Sequence, residues 1–363
     1  MKKLIAGISI AALFACGGNK DNKGDSYSGA TEKYEETPKE VHLANIKQLT
    51  FGGNNAEAYW SFDNTKLVFQ SDYGNWGNNC DQIFMMPIDQ DLSDTNTVPQ
   101  RISNGLGRTT CSYFMPGDST IIYASTHLGD SACPVEPPRG EKYVWPIYNT
   151  FDIFVADLKG NQKKQLTFRD GYDAEATVSP KGDLIVFTSD RSGDLELYTM
   201  NIDGTDIKQV TTELGYDGGA FFSPDGTKLI FRASRPRTEL EKKEYKELLA
   251  KGLVQPTAME LFVCNVDGSD MKQITNLGGA NWAPFFHPSG EKVIFSSNHK
   301  TKKFPFNLFM INLDGSGLEQ ITYDKAFDSF PMFSPDGKRI VFSSNRDNGG
   351  GRATNMFVAD WVE

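Results

Sequence analysis

One nine-residue pattern recurs six times and limits what the chain can fold into. The segment "SPDGTKLIF" (223–231) has relatives in "SFDNTKLVF" (61–69), "MPGDSTIIY" (115–123), "SPKGDLIVF" (179–187), "HPSGEKVIF" (287–295) and "SPDGKRIVF" (334–342). Ser-Pro-Asp-Gly places proline at the second and glycine at the fourth position of a type I turn, and apolar β-formers follow at once. Each copy therefore reads as a hairpin. A second pattern follows each one: "QIFMMPID" (82–89), "DIFVADLKG" (152–160), "ELYTMNIDG" (196–204), "ELFVCNVDG" (260–268), "NLFMINLDG" (307–315) and "NMFVADWVE" (355–363). Most of these end in Asp-Gly or Lys-Gly and run into a strand of the "KQxT" type, a second hairpin with a glycine-bearing turn. Four strands per repeat, six times over, predict an all-β, six-bladed β-propeller. A β-solenoid would need shorter coils, and a sandwich would not repeat its turns six times. A 12% share of Phe, Tyr and Trp and 34 glycines suit many short strands joined by tight turns.

The "KQxT" strands expose one irregularity. "IKQVT" (207–211), "MKQIT" (271–275) and "LEQIT" (318–322) each close a repeat, whereas "IKQLT" (46–50) has no unit ahead of it. The last segment, "NMFVADWVE", is a third strand with no fourth after it. Residues 46–50 are therefore expected to complete the last blade, pairing with residues around Asn355 to Trp361 and closing the ring.

The patterns "SPDGxxIxFxSxR" and "LFxxNxDGxxxxQxT" resemble the repeat units of the TolB β-propeller family over residues 41–363. The resemblance implies a non-catalytic protein-interaction module of the bacterial cell envelope. Its partner at the propeller mouth would be an envelope protein of the peptidoglycan-associated lipoprotein kind. TolB proteins carry an α/β domain ahead of the propeller, and this sequence shows only a short polar segment there, so roles assigned to that domain do not transfer. The alternative is a propeller that processes carbohydrate or peptide, or an accessory to such an enzyme.

The opening "MKKLIAGISIAALFAC" has basic Lys2 and Lys3, an apolar run from Leu4 to Phe14, and Ala15 before Cys16. It reads as an export signal over residues 1–15, too short for a mature membrane span. Leu13 to Cys16 resemble a bacterial lipobox, which implies lipid on Cys16 and durable anchoring by several acyl chains. Residues 17–40 contain no Leu, Ile, Val, Phe or Trp and cannot bury enough apolar surface to fold. A flexible tether over residues 16–40 would reach roughly 25 to 30 Å. The outer membrane is the expected location, with either face open.

Candidate site residues follow from the alignment of the repeats. Six positions before the turn serine stand Asn55, Thr109, Asp173, Asp217, Asn281 and Asp328, and two residues later Glu57, Cys111, Glu175, Gly219, Ala283 and Phe330. The end of the next strand gives Tyr73, His127, Arg191, Arg235, His299 and Arg346. These acidic and basic rings either pair with one another and hold neighbouring blades together or form a charged rim for a peptide, cation or polar ligand. Two insertions, residues 126–150 and 233–258, fall in connections that return to the same mouth. In the second, Thr238 and Glu241 form a capping box and Gly252 a stop for a helix of about a dozen residues. Leu240, Tyr245, Leu248 and Leu249 are its expected buried stripe, and Glu239–Lys243 and Glu247–Lys251 its expected ion pairs. Cys133 is expected to meet Cys111 in a disulfide, with Cys80 the rival partner.

Other chemistries find little support. A net charge of −10 opposes nucleic-acid binding, which draws on Lys and Arg against phosphates. No GxSxG, HExxH, P-loop or dinucleotide fingerprint occurs. Of four histidines, His127 and His299 fall in repeats on opposite sides of a six-fold ring, too far apart to share one ion. No cofactor or metal is expected.

Overall fold

The computed structural model describes residues 40–94, 97–138 and 141–363. The expected signal peptide, Cys16 and most of the expected tether lie outside them. The described chain is an all-β propeller. Every sequence repeat forms a four-stranded antiparallel meander, from Asn55–Trp60, Lys66–Ser71, Gln82–Pro87 and Gln100–Arg101 in repeat 1 through Asn281–Phe286, Lys292–Ser297, Asn307–Asn312 and Glu319–Gln320 in repeat 5. In repeat 6 the fourth strand after Ser329–Phe333, Arg339–Ser344 and Asn355–Trp361 is the N-terminal Leu43–Gln48. Its register pairs Leu43 with Trp361 and Gln48 with Phe357. The strand begins three residues earlier than the sequence pattern suggested, and Asn45 sits in the left-handed region at its bulge.

Three local devices recur in all six repeats. The turn closes with an N–H to C=O bond from its fourth to its first residue, as Gly226 to Ser223 and Gly337 to Ser334, and that fourth residue always has positive φ. Where glycine is missing, Asn64 and Asp118 take the place, the two residue types that tolerate it best. Next, the aromatic residue of the second strand faces that of the third. The pair Phe69–Phe84 has centroids 6.1 Å apart, Phe187–Tyr198 6.0 Å and Phe342–Phe357 5.8 Å, within the range where such pairs add to plain burial. Finally, the "KQxT" threonine hydroxyl accepts the second N–H of the third strand, as Thr211 does from Leu197 and Thr322 from Leu308, with Ser103 in that role in repeat 1. Thr50 does the same for Met356 at 2.9 Å. The N-terminal strand thus occupies its place down to the side-chain bond.

At three junctions neighbouring repeats meet through short parallel contacts at or just before the third strand of one and the first of the next. Phe151 pairs with Tyr172 between repeats 2 and 3, Met259 with Ala280 and Phe306 with Phe327 further on. The two insertions form a separate two-stranded ribbon, Trp145–Pro146 against Leu253–Val254, reinforced by Ile147 N–H to Gly252 O at 2.7 Å. They do share one mouth. The second insertion carries the helix Glu239–Leu249, with its capping box at Thr238 and Glu241. Tyr245 is buried and bonds Asp194, but Leu240 is 66% exposed and no part of a buried stripe. The helix ion pairs are not the expected ones: Glu239 pairs with Lys242 in place of Lys243, and Glu247 pairs back to Lys243 in place of Lys251.

Candidate functional site

The inner strand of each repeat breaks its register once, and the bulged residue has positive φ in all six: Glu57, Cys111, Glu175, Gly219, Ala283 and Phe330. Five of the six carry a Cβ, which disfavours this conformation. A bulge re-aims a side chain out of the pleat, and here it turns all six positions to the central channel. Around them lies a cavity of about 440 Å³. Its roof is the insertion ribbon, with Tyr143, Trp145 and Tyr148 facing inward.

One wall is a buried ion pair. Arg232 meets Glu175 through two bonds of 3.0 and 3.1 Å, joining repeat 4 to repeat 3. Tyr216 and Tyr172 donate to Glu175 Oε1, while Thr188 and the Gly219 N–H donate to Oε2. Burial opposes the charge, but Arg232 and these donors outweigh it and hold the Glu175 carboxyl below its ordinary pKa. The guanidinium also lies 4.7 Å above the Tyr216 ring. On another wall Arg108 pairs with Asp81 at 2.9 Å.

Glu57 is different. Among the described residues its Oε2 is buried without a partner, while the Cys111 thiol donates to its carboxyl. Loss of solvation, with Glu175 adding repulsion, pushes its pKa up to about 7. The same burial and the neighbouring carboxylates push the Cys111 thiol well above its ordinary value, so it is no nucleophile.

The three acidic–basic pairs expected at the rim are each closed. Arg191 bonds Asp173 through two contacts of 3.1 Å, Arg235 grips Asp217, and Arg346 bonds Asp328 at 2.8 Å. All three aspartates are fully buried. Each pair lies within a single repeat, so the expectation that these rings hold neighbouring blades together fails for them. Glu175 does bridge two repeats, through a partner the alignment had not singled out. The guanidiniums lie over the aromatic pairs of their own repeats, Arg191 4.9 Å from Tyr198 and Arg235 4.8 Å from Phe262. His127 and His299 take the same position over Phe154 and Phe309, both at 4.5 Å. In repeat 1 Trp76 packs on Phe84 and Tyr73 on Trp76.

The expected disulfide is corrected: Cys133 is bonded to Cys80, and Cys111 is free. The reason is the bulge, which turns the Cys111 thiol to the channel and Glu57. Cys80 lies in the connection beside the roof, its Cα 6.0 Å from that of Cys133. Arg232 also escaped the sequence reading, although a signal existed. At its position the other repeats carry Gln70, Ala124, Thr188, Ser296 and Ser343, and a lone arginine among small and neutral residues marks a buried partner.

Among the described residues no group of three or more His, Cys, Asp and Glu is arranged to hold a metal ion. The family profile described as the TolB beta propeller domain matches residues 131–255 and 253–356. The chain belongs to the TolB β-propeller family. Among solved structures, this TolB-type propeller is similar to a protein from Agrobacterium tumefaciens described as TolB, with a TM-score of 0.55, 17% identity, and coverage of 89% of this chain and 99% of that one. Similarity to TolB from Acinetobacter baumannii has a TM-score of 0.53 at 16% identity, over 86% of this chain but only 65% of that one. A gluconolactonase from Xanthomonas campestris reaches a TM-score of 0.55 at 13% identity, covering 88% and 91% of the two chains. At such identities the likeness is one of fold.

Proposed function

We propose that this TolB-type propeller is a six-bladed ring closed by its N-terminal strand, serving as a non-catalytic binding module of the cell envelope. In this reading lipid on Cys16 tethers it to the outer membrane. The roofed cavity receives a segment of another envelope protein, of the peptidoglycan-associated lipoprotein kind. The observation that carries the reading is that all six repeats turn one residue into a single roofed cavity holding an unmatched carboxylate. The rim charges are committed to their own repeats, which moves the recognition surface from the rim to the cavity and roof.

Closure is tested by removing residues 41–50. The deletion strips the last sheet of its outer strand and exposes an edge, and it should unfold or aggregate the protein; a truncated chain with full-length thermal stability would refute the closed ring. Partner binding is tested by a photocrosslinking residue at Tyr143, which is 54% exposed and lines the cavity. In intact cells it should capture one defined envelope protein. No defined capture, together with turnover of a glycan or peptide by the purified chain, would favour the enzyme alternative instead.

A further inference from the structure

Five formally charged side chains line the roofed cavity: Glu57, Asp81, Arg108, Glu175 and Arg232. Two of the carboxylates have an arginine, Asp81 at 2.9 Å from Arg108, which also reaches Glu136 at 3.9 Å, and Glu175 at 3.0 Å from Arg232. Glu57 is left as one negative charge without a counterpart. Its Oε2 is buried and unbonded, and the bulge common to the repeats, at φ 55° here, turns this carboxylate into the cavity. Around it the cavity is lined by Tyr59, Phe221, Trp282 and Phe330. Aromatic faces favour a cation, and an unbonded carboxylate oxygen requires a hydrogen-bond donor. A protonated primary amine meets both demands; a quaternary ammonium has no N–H to give, and a neutral sugar brings no charge.

We infer that Glu57 is the anchoring carboxylate for a primary alkylammonium group bound inside the roofed cavity. This rests on the reading of the cavity as the binding site. The ammonium has two sources, a free small amine or a lysine side chain of the partner protein. Its arrival would give Glu57 the counter-charge that it lacks, in sight of Cys111, Tyr59, Glu175, Arg232 and Asp81, the groups that set its electrostatic surroundings. The raised pKa of Glu57 is what an unmatched carboxylate in such a place shows, and the ammonium would lower it.

The test is calorimetric titration of the full chain at pH 8 with n-butylammonium, with Nα-acetyl-lysine amide, and with n-butanol as the uncharged counterpart. At least one ammonium should bind about tenfold or more tightly than butanol, as expected of a desolvated charge pair flanked by aromatic faces. Glu57→Gln should erase that difference while leaving butanol binding unchanged. Preference for butylammonium would identify a free amine as the source, and preference for the lysine amide a partner's side chain. Should the glutamine variant fold poorly, the wild-type affinity for the ammonium should instead fall as the pH drops from 8 to 5. Equal binding of butanol and both amines, unaffected by Glu57→Gln, overturns the inference and leaves the cavity reading standing. If nothing binds while the Tyr143 crosslink still forms, the inference falls alone; if the crosslink is also lost, the cavity reading falls with it.

Discussion

The rim and the cavity of this propeller hold similar charged residues in opposite conditions. At the rim, Asp173, Asp217 and Asp328 are buried, but each has an arginine from just beyond its own second strand and a hydroxyl donor, Ser189, Thr211 and Ser344 in turn. In the cavity, Glu175 is satisfied by an arginine from the next repeat, and Glu57, on the same ring, has no cation within bonding distance. The difference teaches that burial alone does not mark a functional carboxylate. What marks it is burial without a partner in a space large enough for one to enter.

The comparison can be broken from either side. The largest change should come from Arg232→Met, which leaves Glu175 buried without its cation. It should cost about 3–5 kcal/mol in urea unfolding, the range for halving a buried ion pair. Arg191→Met at the rim should cost less, about 1–3 kcal/mol, because Asp173 keeps Ser189 and has Arg169 at 3.6 Å. Equal losses would mean that the rim is as tightly built as the cavity wall.

Glu57→Gln should change stability in the other direction. Its folded pKa of about 7 lies above the ordinary 4.5, so the folded state holds the proton more tightly and loses stability as pH rises from about 4.5 to 7. Replacing the carboxylate should therefore stabilise the protein by about 3 kcal/mol at pH 8 and by almost nothing at pH 4. Glu196, buried against Thr211 and raised to about 8, adds to the wild-type loss in the same direction. Asp173→Asn should destabilise at pH 8, since it breaks bonds to Arg191. Chemical denaturation at the two pH values checks both signs, and a destabilised Glu57→Gln protein would remove the contrast between rim and cavity.

The smallest effect is expected at the outer strands. Thr50→Val and Thr211→Val each leave one buried N–H without its acceptor and should each cost about 1–2 kcal/mol. Matched values would show that the N-terminal strand is bonded as firmly as a strand within its own repeat. A negligible cost at Thr50 alone would show a loosely held edge.

The repeats, their turns and the origin of the sixth outer strand were legible because each rests on contacts within a few residues or on a pattern copied six times. The side-chain role of the "KQxT" threonine was present in the same pattern and went unread. The cavity was hidden for a physical reason. Glutamate, cysteine and phenylalanine carry no signal for a left-handed bulge, so the ring of Glu57, Cys111 and Phe330 was read as part of the mouth and not as a separate, inward-turned set. Rim and cavity positions, two residues apart, were consequently placed in one mouth. The disulfide went astray on the same bulge, which turns Cys111 away from Cys133. The ribbon of Trp145 with Val254 joins residues over a hundred positions apart, and no local pattern announces such a pairing.

In the binding reading proposed above, that ribbon is the element an entering group has to pass. Two residues on each side form its ladder, far fewer than in any of the meanders beneath it, and small units of this kind open long before the fold as a whole does. The insertion that carries the ribbon's first strand is also tied to repeat 1 by Cys80–Cys133. If the roof opens ahead of the fold, amide exchange at Ile147, whose N–H bonds Gly252, should be faster than at the meander strands beneath it.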